Sequence, residues 1–250
     1  MLELKNIRAG YRKKEILHGV STSFERGKLT VIVGPNGSGK TTLLRCALGI
    51  LPISQGEVTV DGLSLSELKQ NEIAKRIAYL SQGKETPPMT VGQMVLHGRF
   101  AHAGYPRIYT ENDRLIAART MERMGISELC DRELSELSGG MRQNAYVALA
   151  LAQSSDYVLM DEPTSYLDIG NSLQLMRTLR ELADEGKGIV AVLHDIPLAM
   201  AFADVIAVMS AGESVAQGAP KELFESGIFG EVFGVELKRS ETEDGTVYHW

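Results

Sequence analysis

Gly34-Pro35-Asn36-Gly37-Ser38-Gly39-Lys40-Thr41 is the stretch whose reading decides the fold. Gly, four residues, Gly, Lys and then a hydroxyl residue is the pattern of a loop that wraps phosphate. The glycines let the backbone curl so that successive N–H groups face one anion. Lys40 supplies a point charge for β- and γ-phosphates, and the Thr41 hydroxyl is a hard oxygen of the kind Mg2+ takes. The flanks fit. Leu29–Val33 is a short β-rich run, and Leu43, Leu44, Ala47, Leu48 and Leu51 follow with apolar helical character. That predicts strand, loop, helix, with the helix N-terminus adding its partial positive charge.

Downstream, Tyr157-Val158-Leu159-Met160-Asp161-Glu162 is an apolar strand ending in two carboxylates. Side chains alternate along a strand, so neighbouring acids can take different tasks. Asp161 suits Mg2+, and Glu162 suits orienting and activating a water. A third motif, Leu137-Ser138-Gly139-Gly140-Met141-Arg142-Gln143, precedes an apolar helix running through Gln153. Ser-Gly-Gly at a helix start makes a second anion-binding N-terminus. One chain has no obvious need for two, so the second would serve a nucleotide held by another copy. Taken alone, Ser-Gly-Gly is ordinarily a turn with a Ser cap.

The remaining pattern is α/β. Val58–Asp61 and Ile77–Leu80 read as short strands, and Ile189–Leu193 and Val205–Met209 as continuous apolar ones, suited to burial on both faces. Asn171–Asp184 reads as an amphipathic helix. Strands alternating with helices imply a largely parallel sheet. Gln82–Gly92 is polar, contains Pro87-Pro88, and marks a lobe boundary. After it, Thr90 and Gln93 form a capping-box signature, and the chain to Gln153 is mostly helical, with Leu115, Ala118, Met121 and Met124 near the helical period. This stretch looks like an insertion. The expected division is a nucleotide-binding α/β lobe at residues 1–86 and 155–250 and a helical lobe at 87–154.

Composition narrows the classes. The 250 residues carry a net charge of −6, with 44% hydrophobic and 23% charged residues, ordinary for a globular chain. The negative balance disfavours a nucleic-acid binder working by bulk charge. Residues 1–8 carry three charges and no apolar core, so no secretory signal is expected there. Asp204 interrupts the apolar stretch Ala199–Met209, which is too short to cross a membrane. Cys46 and Cys130 suit neither a disulfide scaffold nor a zinc site, and a reducing cytosol fits them.

The phosphate loop, Gln82, Leu137–Gln143, Asp161-Glu162, Ser165-Tyr166-Leu167-Asp168 and His194 stand in an order that resembles the ATP-binding subunits of ABC transporters across essentially the whole chain. Leu-Ser-Gly-Gly is the most specific of these motifs. The resemblance implies a phosphate-loop NTPase core with a mixed, mostly parallel sheet, an N-terminal antiparallel β subdomain and an inserted α-helical subdomain. It implies ATP and Mg2+ as cofactors. Gly34, Pro35, Asn36, Gly37, Ser38, Gly39, Lys40, Thr41 and Thr42 would hold the nucleotide, and Tyr11 would stack on adenine. Thr41, Gln82 and Asp161 would serve the metal, with Gln82 also reaching the attacking water. Glu162, His194 and Gln82 would be catalytic. Ser138, Gly139 and Gly140 would meet the γ-phosphate bound to a second copy, and Asp168 would lie at that dimer interface. Met141 stands where the family commonly has a polar residue, and Asn144 where Arg is common.

The implied partners are a second copy of the chain, a transmembrane permease and, indirectly, a substrate-binding protein, with no nucleic acid. The implied place is the cytoplasmic face of the membrane, peripherally. His97-Gly98-Arg99 with His102, Asn112-Asp113 and Val232-Phe233-Gly234-Val235 resemble importers of iron–siderophore complexes, haem or cobalamin. Zinc and manganese importers share part of this pattern. His97 and His102 read as helix-surface residues, because no carboxylate or Cys cluster accompanies them. A soluble ABC-type ATPase of iron–sulfur cluster assembly remains an alternative. A DNA-repair ATPase does not, because the about 70 inserted residues are too few for its long coiled coil. The charged end Lys238–Trp250 reads as a solvated tail, unless Tyr248 and Trp250 pack back.

Overall fold

The computed structural model describes residues 1–12, 14–81, 86–104, 106, 108–242 and 245–249. In chain order the elements are β1 (Leu2–Tyr11), β2 (Lys14–Phe24), β3 (Leu29–Val33), α1 (Lys40–Ala47), β4 (Gln55–Val60), β5 (Leu63–Ser64), α2 (Gln70–Arg76), β6 (Ile77–Leu80), α3 (Val91–His97), α4 (Glu111–Arg123), α5 (Gly139–Ala152), β7 (Tyr157–Asp161) and α6 (Ile169–Asp184). They continue as β8 (Gly188–Val192), α7 (Ile196–Phe202), β9 (Val205–Ser210), β10 (Glu213–Gly218), α8 (Pro220–Ser226), α9 (Ile228–Phe233), β11 (Lys238–Thr242) and β12 (Gly245–His249). The chain forms two compact units, residues 1–68 with 176–250, and residues 69–175.

Two sheets of the first unit each draw strands from before and after the phosphate loop in sequence. One is antiparallel, in the order β2-β1-β4-β5. Leu2, Leu4, Ile7 and Ala9 of β1 are buried, and their alternation breaks between Leu4 and Ile7, where the pairing with β2 shifts register and Asn6 takes φ 50°. In the other sheet, the strands of this unit run β10-β9-β3-β8, with β3 parallel to both β8 and β9 and β10 antiparallel to β9. Every residue of β3 and β8 is buried, which is why both read as unbroken apolar runs. Parallel pairing, Leu29 with Ile189 through Ile32 with Val192, brings the C-terminal ends of β3 and β8 to one edge. Asp204 anchors the opposite edge. Its Oδ2 accepts from Leu29 N at 2.8 Å and from Arg180 Nη1 at 2.5 Å. Burial pushes its carboxyl up, but Arg180 and the Leu29 N–H outweigh that and hold it below the usual carboxylate range.

Helix α1 ends at Ala47, and Gly49 follows with φ 64°. Leu51 therefore lies beyond the helix, contrary to the apolar spacing that included it. Cys46, on the buried face of α1, is 1% exposed, and burial pushes its thiol up to about 11. The end of the chain is not a solvated tail. β11 and β12 pair as an antiparallel hairpin, and the Tyr248 ring meets Phe224 edge-on at 5.2 Å. Trp250 lies outside the described residues.

In the second unit, β6 and β7 pair in parallel from Ile77 with Tyr157 to Leu80 with Met160. Thr90 and Gln93 form the expected capping box at α3, with Thr90 Oγ1 accepting from Gln93 N at 3.3 Å and Gln93 Oε1 accepting from Thr90 N at 3.0 Å. The apolar spacing puts Leu115 and Ala118 on the inner face of α4, but both are exposed. The buried side chains of α4 are Asp113, Ala117 and Met121, because the helix turns its one buried acid inward to meet Arg99. Helix α2 has no counterpart in the apolar pattern, since Ile73 is its only buried residue.

Candidate nucleotide site

The first unit carries the phosphate loop between β3 and α1, as the sequence predicts. Gly37 and Gly39 adopt φ 80° and 101°, conformations that L side chains rarely take and that turn the loop back on itself. Gly34 has a different reason. A Cβ there would lie 2.2 Å from the Met209 carbonyl oxygen on β9, which is backbone and cannot step aside. Gly34→Ala is expected to cost about 1–3 kcal/mol by overpacking and to weaken nucleotide binding with it. Thermal melting with and without ATP checks this.

Lys40 is 6% exposed, and its Nζ donates to the carbonyls of Gly34 at 2.7 Å and Pro35 at 3.0 Å. The ammonium is thus held inside the curl of its own loop. The Ser38 hydroxyl is buried with no hydrogen-bond partner among the described residues. Such an oxygen is costly unless something binds it. It sits between the glycines with φ 80° and 101°, where the curled backbone suits a phosphate oxygen. Asn36 and Gly37 are exposed, Pro35 and Thr41 half-buried, and Thr42 buried.

His194 belongs to the same edge. Leu193 N donates to Ile32 O at 3.1 Å, which sets the exposed His194 just past β8, beside the end of β3. Tyr11, 40% exposed at the end of β1, accepts from Arg45 Nη1 at 3.0 Å, and the Arg45 guanidinium lies 6.0 Å from its ring centroid. Arg45 is on α1, four residues beyond Thr41, so it ties the aromatic to the helix that carries the loop's hydroxyls. The motif reading did not single out Arg45, and no sequence signal marks it.

The second unit gathers the carboxylates and the Ser-Gly-Gly turn. Asp161 ends β7 at 1% exposure. Glu162 follows with φ 53°, a left-handed conformation uncommon for any residue with a side chain, and turns off the strand line. Its Oε2 accepts from Ser165 Oγ at 3.0 Å. Gln143 Nε2 donates to the Pro163 carbonyl at 2.7 Å, tying α5 to the loop that bears Glu162. Neither Ser165 nor Gln143 received a role from the sequence, although both lie inside motifs that it marks.

Ser138 caps α5, accepting from Met141 N at 3.3 Å. A Cβ on Gly139 would meet Tyr166 Cβ at 3.6 Å, and one on Gly140 would meet Leu167 Cδ2 at 3.4 Å. The Ser-Gly-Gly turn therefore lies against the 166–168 loop. Asp168 caps α6, with Oδ1 accepting from Asn171 N at 2.8 Å and Oδ2 from Asn171 Nδ2 at 2.9 Å. Beside it Tyr166 is 84% exposed and Ile169 81%. Gln82 lies outside the described residues.

The surface expectation for the two histidines holds for His97 alone. His97 is exposed, and its Nδ1 donates to Gln93 O at 2.9 Å. His102 is half-buried after a 3-10 turn, and its Nε2 donates to Gln153 O at 2.8 Å. Among the described residues no group of three or more His, Cys, Asp and Glu could hold a metal ion. Mg2+ takes hard oxygens, and the Thr41 hydroxyl in the first unit and the Asp161 carboxylate in the second are each of that kind. Among the described residues no helix is long and apolar enough to cross a membrane.

The chain is similar to known proteins along most of its length. The model of the ABC transporter family matches residues 17–165. The petrobactin import ATP-binding protein of Bacillus anthracis is 34% identical, over 96% of this chain and 88% of that protein. The hemin import ATP-binding protein of Rhizobium meliloti is 36% identical, over 96% of this chain and 94% of that protein. A dimeric bacterial ABC transporter cassette superposes with a TM-score of 0.78 at 28% identity, covering 88% of this chain and 99% of that one. With a phosphate loop after β3, Asp161 and Glu162 at the end of β7 and Ser138 capping α5, the helix of the Leu-Ser-Gly-Gly signature, the chain belongs to the ABC transporter family as an ATP-binding subunit.

Proposed function

We propose that the chain hydrolyses ATP as the motor of an importer that takes up an iron chelate or haem. The observation that carries the motor reading is the pairing, in one sequence, of a phosphate loop with a Ser138-capped helix offering a second set of backbone donors. The cargo class rests on the relatives, whose names give petrobactin and hemin import.

In this reading two copies meet head to tail, an isologous arrangement. Residues 34–42 of one copy hold the triphosphate, with Tyr11 on the adenine, and Ser138, Gly139 and Gly140 of the other close over the γ-phosphate. Thr41, Asp161 and Gln82 would hold Mg2+, which would neutralise phosphate charge. Glu162 orients and deprotonates the attacking water, His194 contacts the γ-phosphate, and Gln82 senses it. Asp168 lies at the junction of the copies. The γ-phosphate gains donors only in the closed dimer, so ATP shifts the population towards closure and hydrolysis lets it open. Closure would move the helical lobe, residues 87–154, of each copy. That motion would act on a permease bound at the cytoplasmic face.

The test is co-purification. A tagged Glu162→Gln chain, extracted from native membranes in mild detergent with ATP, should bring down a polytopic permease. Its binding protein would identify the cargo. Recovery of soluble partners alone would overturn the importer reading in favour of a soluble ABC-type ATPase.

A further inference from the structure

The His97-Gly98-Arg99, His102 and Asn112-Asp113 motifs have no place in the nucleotide chemistry, yet Gly98, Arg99, His102 and Asp113 from them converge on the C-terminal end of one helix. Arg99 is buried in the second unit, its side chain 6% exposed. Its Nε donates to Asp113 Oδ1 at 2.9 Å, and its Nη1 donates to the Ala152 carbonyl at 2.8 Å and to Ser154 Oγ at 3.0 Å. His102 Nε2 donates to the next carbonyl, Gln153 O, at 2.8 Å. Ala152 and Gln153 are the last residue and the C-cap of α5. The final carbonyls of a helix have no partner within it and carry its partial negative charge. A guanidinium and an imidazole N–H from one short segment satisfy two of them.

Gly98 and Asp113 serve the same contact. A Cβ on Gly98 would lie 2.4 Å from the Leu149 carbonyl oxygen, so only glycine lets this segment approach α5. Asp113 fixes the guanidinium from behind. Its other oxygen accepts from Thr110 N at 2.9 Å and Thr110 Oγ1 at 2.7 Å, which ties Asp113 to the start of α4. Hydrogen bonds to Thr110 and Arg99 hold its carboxyl low, at about 2. On the far side Gln153 Nε2 donates to the carbonyls of Ala74 and Ile77, and Ser155 Oγ to Ala74 O at 3.0 Å. The C-terminal end of α5 is thus held from two directions, while its N-terminal end presents the exposed Ser138.

We infer that Arg99, Asp113 and His102 form a positioning clamp on the signature helix, one that sets how Ser138–Gly140 is offered to the second copy. This rests on the dimer reading above. Helix α5 is 14 residues long, about 21 Å, and behaves as a lever over that length. A small tilt at the clamped end displaces the Ser-Gly-Gly turn by ångströms, enough to lose contacts that need hydrogen-bond geometry. None of the three clamp residues touches nucleotide, so all are positioning residues.

The experiment measures ATP–Mg2+-driven dimerisation by light scattering on a size-exclusion column, in the Glu162→Gln background. Two variants are added to that background. His102→Phe removes the donor from a half-buried side chain, with His102→Gln as the conservative rescue. Arg99→Met with Asp113→Asn removes the ion pair without leaving one charge buried alone. Both the Phe variant and the double variant should weaken the dimer by about tenfold, the worth of a hydrogen bond or two at a helix end. His102→Gln should restore it. The affinity of the monomer for a fluorescent ATP analogue should stay unchanged throughout. A dimer as tight as the parent's in both variants would overturn the clamp and leave the motor reading standing. Loss of monomer nucleotide affinity would overturn it too, because that marks general disruption. A Glu162→Gln parent that stays monomeric with ATP would overturn the dimer reading and the clamp with it.

Discussion

Glu162→Gln is expected to lower ATP turnover by about a hundred- to ten-thousand-fold, the usual worth of a general base. Phosphate release read continuously at saturating ATP checks it. Gln keeps the length and planar end of Glu, so an acceptor oxygen remains for the Ser165 hydroxyl that now lies 3.0 Å from Oε2. The left-handed backbone at 162 is no harder for Gln than for Glu. Melting temperature and ATP affinity should therefore stay near the parent's, while only the proton acceptor is lost. The protein should then collect as an ATP-bound dimer. Unchanged turnover would remove Glu162 from the catalytic role.

Asp113→Ala should destabilise the chain by about 3–5 kcal/mol, because it leaves the Arg99 charge buried without its partner. It also strips the Thr110 cap of its reciprocal acceptor. Urea titration of parent and variant measures the difference. The effect depends on pH in a known direction. The Asp113 carboxyl stands at about 2 in the folded chain against an ordinary 3.8. Its contribution is therefore complete above about pH 4 and lost as pH falls towards 2. The gap between parent and variant should narrow over that window, and a gap independent of pH would show that the carboxylate is not the stabilising species.

The motifs were legible in the sequence because each couples chemistry to a local backbone shape. Thr90 and Gln93 cap α3 as their spacing says, and Ile77–Leu80 is a strand with the predicted bounds. Buried strands such as β3 and β8 announce themselves as apolar runs. What escaped was set by long-range partners. Asp113 faces inward because Arg99, 14 residues earlier, waits there, and that rotates the buried face of α4 away from Leu115. The final hairpin depends on Lys238 meeting His249 and Tyr248 meeting Phe224, pairings that no local periodicity encodes. Of the candidate site residues, the positions of the loop between β3 and α1 and of the acids at the end of β7 could be read from their motifs. The tether from Arg45 to Tyr11 and the bond from Gln143 to Pro163 join distant segments and carry no sequence mark.

The thiol of Cys46 turns this architecture into a built-in reporter. It lies on the buried face of the helix that follows the phosphate loop, with its acid strength reduced to about 11. Alkylating reagents attack the thiolate, so the folded form should be nearly inert to them at neutral pH. Any reaction at Cys46 must pass through a state in which that helix has opened. Its labelling rate, read by mass spectrometry against half-buried Cys130, would time the breathing of the loop's own support. Saturating nucleotide should slow that clock in proportion to how tightly it binds.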